Sequence, residues 1–170
     1  MKNYNIFWIL IDSARNHQTD EDDRGLPQSV VDFAKQNIHY KNVVTSAPST
    51  IQSISSMLTS TPSYLLSRSY NNYRGNDDGL VYFPHILKNI GYNIFGAIYF
   101  KHGREVMSHV FDIIEKKYLP YGLKHRKEVW NNGDVYQLFK KFLNKNNWLK
   151  PTMCYLHYNV RVDSNISAII

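Results

Sequence analysis

Residues Thr45–Ser60, TSAPSTIQSISSMLTS, hold the side chains best suited to chemistry. They follow the β-branched pair Val43-Val44 and lead into a helix-like run from Ile51 to Leu58. A hydroxyl-rich turn between a strand and a helix suits a nucleophile. The strand end fixes the side chain, and the helix N-terminus adds unpaired N–H groups and the positive end of a dipole, which together favour an oxyanion such as phosphate or sulfate. The same residues also make an ordinary N-cap, with Ser49 or Thr50 as the capping hydroxyl. Asp12 is the second reactive group. It closes the apolar run Asn5–Ile11, NIFWILI, and is followed by Ser13-Ala14-Arg15. In open α/β sheets the ligand crevice lies at the carboxyl ends of the strands, so Asp12 and the Thr50 turn are expected to face one crevice. A carboxylate beside a hydroxyl is a way to hold a divalent metal next to a nucleophile.

These side chains need a scaffold, and the pattern of the chain supplies one. Strands are expected at Asn5–Ile11, His39–Val44, Tyr92–Tyr99 and Thr152–Tyr158, and helices at Pro27–Asn37, Ile51–Leu58, Tyr82–Ile90 and Asp134–Asn146. A further edge strand is expected at His109–Ile114. A continuous apolar run such as Asn5–Ile11 fits a central parallel strand covered on both faces. Alternating strands and helices imply a parallel sheet with right-handed crossovers. Gly91 is placed to end the third helix. Tyr64–Gly79 is polar and reads as a long loop, and Asp20-Glu21-Asp22-Asp23 as an exposed acidic loop without the ligand spacing of a cation site.

Composition excludes several classes. The chain has 170 residues, 43% hydrophobic and 14% aromatic, which is enough for one folded domain over residues 1–170 and argues against disorder. No apolar run reaches the roughly 18 residues that span a bilayer, and Met1-Lys2-Asn3-Tyr4 enters the first strand directly, so neither a membrane span nor a signal peptide is expected and a cytoplasmic location follows. A single cysteine, Cys154, rules out an internal disulfide and reads as a small buried strand residue. The net charge of +6 collects at Lys116-Lys117, Lys124–Lys127 and Lys140-Lys141. No nucleic-acid-binding motif accompanies it, and Val135, Leu138, Phe139, Phe142 and Leu143 make Lys140-Lys141 the solvated face of an amphipathic helix.

Five segments in order resemble the sulfatase/alkaline phosphatase superfamily, and together they cover most of the chain. NIFWILIDSAR is similar to the opening strand with its first metal-binding Asp. GLPQSVVDFAKQNIHYKNVVTSAPST is similar to the helix and strand leading to the nucleophile. TIQSISSMLTS resembles the nucleophile motif, which in sulfatases reads Cys-x-Pro-Ser-Arg and runs on to Leu-Thr-Gly. FPHILKNIGYNIFGAIYF and DVYQLFKKFLNKNNWLKPTMCYLHYN resemble the two helix–strand units that follow.

The resemblance implies an α/β fold with a mainly parallel sheet flanked by helices, alkaline phosphatase-like and incomplete at its C-terminal end. Matching Leu58-Thr59-Ser60 to Leu-Thr-Gly puts Thr50 at the nucleophile position, with Asp12 and Thr50 as metal ligands. Ser46, in Ser46-Ala47-Pro48-Ser49, is a rival alignment to Cys-x-Pro-Ser that requires extra residues before Leu58. Lys101 and His102 are loose counterparts of the family's substrate-binding Lys and His. Sulfatases oxidise Cys or Ser to formylglycine, whereas Thr carries a methyl group on Cβ and cannot form that aldehyde. Thr-bearing branches resemble phosphodiesterases and phosphoethanolamine or phosphoglycerol transferases, so the resemblance implies a metal-dependent hydrolase or transferase of an anionic ester, favouring a phosphate ester over a sulfuric ester, with a divalent metal ion.

The chain also departs from the pattern. Gln52 stands for the motif's Pro, Ile54 for its Arg or His, and Ser60 for its Gly. The run His157-Tyr158-Asn159-Val160-Arg161-Val162 lacks the family's Asp-Pro-His, and the downstream Asp-His pair is absent. The alternative expectation is therefore a non-catalytic fragment or remnant of the fold that does not retain the metal and is inactive alone. An uncovered sheet edge would then favour homo-oligomers or a complementing C-terminal segment.

Overall fold

A computed structural model describes residues 4–13, 28–40, 42–66, 80–98, 107, 110–111, 132–146 and 148–159. The elements are β1 (Ile6–Asp12), α1 (Gln28–Gln36), α2 (Thr50–Thr59), a 3₁₀ turn (Ser63–Leu65), α3 (Phe83–Asn89), β2 (Asn93–Ile98), α4 (Asn132–Lys145) and β3 (Thr152–Asn159). The three strands form a wholly parallel sheet in the order β1-β3-β2. Helices flank it on both faces, giving the expected α/β class with an alkaline phosphatase-like arrangement. No described helix is long and apolar enough to cross a membrane.

The central described strand is β3, where the apolar run had pointed to β1. The reason is two-sided coverage. Thr152 to Tyr158 are all buried, whereas β1 alternates and leaves Phe7 48% and Ile9 43% exposed. On one face of the sheet Ile51, Ile54 and Leu58 of α2 pack with Ile94, Ile98, Met153 and Tyr155, and Trp8, Leu10, Phe83 and Leu87 complete the cluster. On the other, Val135, Leu138, Phe139 and Phe142 of α4 cover Phe95, Ala97, Cys154, Leu156 and Tyr158. Both helices carry their apolar residues at three- and four-residue spacing, so each turns one stripe to the sheet.

Other expectations need adjusting. His39–Val44 forms no strand among its described residues, and Val43 and Val44 are 75% and 92% exposed. Their β-propensity reflects packing against a partner surface, and none of the described strands pairs with them. Of His109–Ile114, Val110 and Phe111 are described, and both donate their amides to the Met107 carbonyl in a turn, not a ladder. The Tyr64–Gly79 loop begins within the 3₁₀ turn, and its remainder after Leu66 lies outside the described residues, as do Asp20–Asp23. Gly91 ends α3 as expected. With φ of 96° it donates to the Lys88 carbonyl while Tyr92 donates to Leu87, the paired bonds of a Schellman cap.

Gly96 of β2 is needed for a different reason. A Cβ there would lie 2.7 Å from the Phe111 ring, which stacks on Tyr155 with centroids 5.0 Å apart. Gly96→Ala should lower stability by about 1–3 kcal/mol through overpacking. A urea-unfolding midpoint unchanged from the wild type would contradict this contact.

Candidate active site

The carboxyl end of β1 and the N-terminus of α2 converge. Asp12 is the last residue of β1, and Thr50 is the first of α2. Thr50 Oγ1 donates to Asp12 Oδ2 at 3.4 Å, a long hydrogen bond across 38 residues of sequence. Both side chains are partly buried. The Ser53 amide donates to the Ser49 carbonyl at 2.9 Å and begins the intrahelical ladder, so the backbone donors before it point out of the helix end. Ser49 holds the extended N-cap backbone (φ −113°, ψ 145°) but its side chain makes no cap bond. The hydroxyl of Thr50 is thus aimed at a carboxylate, beside the positive end of a ten-residue helix.

With no strand immediately before it among the described residues, the turn is held by hydroxyls. Thr45 Oγ1 donates to the Ala47 carbonyl at 2.9 Å, accepts from the Ala47 amide, and lies 3.1 Å from Ser53 Oγ of α2. The Ser63 hydroxyl donates to the Ser46 carbonyl, tying the turn to the 3₁₀ segment. Ser46 itself is exposed, and its described bond is through its backbone. Thr45, Ser53 and Ser63 had not been singled out. Their signal was the density of Ser and Thr around the turn, since these side chains bond readily to nearby backbone.

Two features bear on the alignment of the motif. Ser60 caps α2 in the left-handed conformation (φ 54°, ψ 26°), a cost of about 1–2 kcal/mol for a non-glycine residue. That left-handed residue falls where the resembled motif has its Gly, which accompanies placing Thr50 at the nucleophile position. Ile54, at the motif's basic position, is 2% exposed and belongs to the core under α2. Lys101 and His102 lie outside the described residues.

The central strand adds two groups to the same face. In the parallel register Trp8 pairs with Tyr155, Leu10 with His157 and Asp12 with Asn159. Asp12, Tyr155 and His157 therefore share the face covered by α2. Tyr155 and His157 are fully buried, and the phenol oxygen lies 3.2 Å from His157 Nδ1. Burial pulls the imidazole down to about 4, against a smaller upward pull from the Asp12 charge. Burial, aided by the same charge, raises the Tyr155 phenol and keeps it protonated. On the opposite face burial pushes the Cys154 thiol up to about 12, so it is no nucleophile at neutral pH.

Among the described residues no three His, Cys, Asp or Glu side chains gather into a metal-binding group. Asp12 and Thr50 offer hard oxygen donors, of the kind that suits a hard divalent cation, as a pair rather than a full ligand set.

Comparison with known proteins gives one finding. The family model described as Sulfatase matches residues 4–160. No curated protein and no solved structure matches the chain.

Proposed function

This chain belongs to the sulfatase family, and we propose that it carries the phosphoester side of that family's chemistry, hydrolase or transferase, with Thr50 as nucleophile and Asp12 as metal ligand. The observation that supports this reading is the Thr50–Asp12 contact at the α2 N-terminus. Family members generally use a divalent metal, which when bound supplies positive charge to the ester and makes a hydroxyl easier to ionise. The chain's own residues do the rest. Asp12 orients the Thr50 oxygen and accepts its hydrogen. The outward backbone N–H groups of α2 would hold the ester's equatorial oxygens. The methyl group on Thr50 Cβ argues for phosphate over sulfate, because this residue cannot become formylglycine. Lys101 and His102 are assigned to substrate binding by resemblance, and residues 1–170 are taken as one sulfatase-like unit.

A second reading, that the chain keeps the fold without the chemistry, draws support from Ile54. An apolar side chain buried in the core stands where the family has a basic one. In either reading the outer edge of β1, which no described strand pairs with, is suited to pairing with another copy or with a complementing segment.

The two readings separate in a titration of ¹⁵N-labelled chain with Mn²⁺ followed by NMR. Paramagnetic broadening should be weak in affinity but centred on the amides of Asp12 and Thr50, and should vanish in Asp12→Asn. Broadening that survives Asp12→Asn, or that centres elsewhere, would refute the metal-ligand assignment.

A further inference from the structure

A cavity of about 290 Å³ lies on the α4 face of the sheet, between that helix and β2. Two sequence periods build its walls. Leu138, Lys141, Phe142 and Lys145 fall at i, i+3, i+4 and i+7, one stripe of the helix, and Asn93 and Phe95 at i and i+2, one face of the strand. The inner wall is aromatic and fixed. Phe95 is buried and stacks on Phe142, with centroids 4.3 Å apart and 18° between the planes. The amide end is fixed too. Asn146, also on the lining, donates its side-chain nitrogen to Thr152 Oγ1 at 3.1 Å, and the Asn93 backbone amide donates to the Pro151 carbonyl at 2.9 Å. The outer wall is cationic. Lys141 and Lys145 are exposed and one turn apart, and no carboxylate is among the described residues of the lining.

We propose that this cavity is a binding site for a small amphipathic anion, a flat aromatic body carrying one carboxylate. Its lining selects by charge as well as by shape. The ring system displaces water from Phe95, Leu138 and Phe142, and the carboxylate is met by Lys141 and Lys145, whose flexible stems bring their ammonium groups to it. A bare inorganic anion gains only the second contact, and a neutral aromatic only the first. The volume lies just below the roughly 300–1,000 Å³ usual for ligand pockets, which suits one or two fused rings. Walls already tied by the Phe95–Phe142 stack and the Asn146–Thr152 bond lose little freedom on binding. The site is separate from the Thr50 crevice. Asn93 pairs with Thr152 at the start of β3, whereas Asp12 pairs with Asn159 at its end. The length of β3, roughly 20 Å at about 3.3 Å per residue, lies between them, and a ligand here leaves the crevice open. The inference therefore does not depend on the phosphoester reading.

Titration of the whole ¹⁵N-labelled chain at pH 7 tests it, with 2-naphthoate as the probe, 2-naphthamide as its neutral counterpart and inorganic phosphate as the bare anion. Naphthoate should shift the amides of Asn93, Phe95, Lys141 and Lys145 to saturation and leave those of Asp12 and Thr50 in place. Naphthamide should bind about tenfold more weakly, the scale of two exposed charge contacts. Phosphate at the same concentration should leave those amides unshifted. None of these comparisons requires a variant. The double variant Lys141→Gln, Lys145→Gln changes two exposed positions, so it should keep the wild-type thermal midpoint while its naphthoate affinity falls to that of naphthamide. No saturable response to naphthoate, equal binding of naphthoate and naphthamide, the same shifts from phosphate alone, a response centred on Thr50, or undiminished naphthoate affinity in the double variant would each overturn the proposal.

Discussion

Thr50→Ala should lower any divalent-metal-dependent hydrolysis of bis(4-nitrophenyl) phosphate by at least about 10³-fold, the scale on which losing a nucleophile is felt. Thr50→Ser should retain most of the rate, because the hydroxyl and its place at the α2 N-terminus survive. Cys154→Ala should change nothing, since that thiol is buried on the opposite face with its pKa raised. The absolute rate of the 170-residue chain should be low. An aliphatic hydroxyl is a weak nucleophile at neutral pH, and Asp12 with Thr50 is a sparse ligand set. A longer form or an added segment bringing further carboxylates and imidazoles should raise the rate, and the gain should disappear in Thr50→Ala. Equal rates for Thr50→Ala and wild type would move the nucleophile elsewhere, with Ser46→Ala as the next variant to measure.

Ile54→Arg is the substitution that the family motif invites, and it should unfold the protein rather than equip the site. Ile54 is 2% exposed and packs in the cluster with Ile51, Leu58, Ile94 and Met153. A guanidinium placed there loses its water without gaining a described carboxylate partner in that cluster, and it is larger than the space it enters. Burying an unpaired charge is among the few routes to destabilisation of about 4 kcal/mol or more, a large part of the roughly 5–15 kcal/mol that holds a domain folded. Loss of the cooperative thermal transition in Ile54→Arg is the expected result. A variant as stable as wild type, with tighter binding of inorganic phosphate, would mean that position 54 can reach the crevice. The control is Ile54→Val, which should cost about 0.5–1.5 kcal/mol.

The amphipathic helices were legible because apolar spacing alone determines which stripe is buried. Val135, Leu138, Phe139 and Phe142 formed the stripe on α4 that their periodicity indicated. The Asp12–Thr50 juxtaposition was expected from two strand ends at one sheet edge, and the structure reaches it with only one of them: Asp12 ends β1, while Thr50 is brought beside it by the packing of α2 on the sheet. Strand order was harder. Ile6 to Ile11 looks more central than a strand containing Thr152, His157 and Tyr158, yet the latter is buried on both faces. Centrality depends on what lies against a strand from other parts of the chain: Thr152 accepts from Asn146, Tyr155 lies in hydrogen-bond reach of His157, and Tyr158 is held by its ring in the cluster beneath α4. His39–Val44 forms no strand among its described residues for the converse reason, since β-branched side chains favour a strand only where a partner surface packs against them, and Val43 and Val44 are exposed. The hydroxyl bonds that shape the turn, Thr45 to Ala47 and Ser63 to Ser46, were hidden because such side chains have several backbone partners within reach.

The register of the sheet also sets a timetable. Every described pairing of β1 is with β3, at an offset of 147 residues. At ribosomal rates of about 5–20 residues per second, β1 emerges roughly 7–30 s before its partner exists. For that interval IFWILI is an uncharged, Pro-free apolar strand with both edges open, the kind of segment that associates with other chains. The helices can form early from local contacts, but the sheet cannot close until the last described strand arrives, and non-local parallel pairing is intrinsically slow. The yield of folded protein in a cell should therefore be governed by how well that first strand is shielded during synthesis, by chaperones or by slow initiation, more than by the stability of the finished sheet.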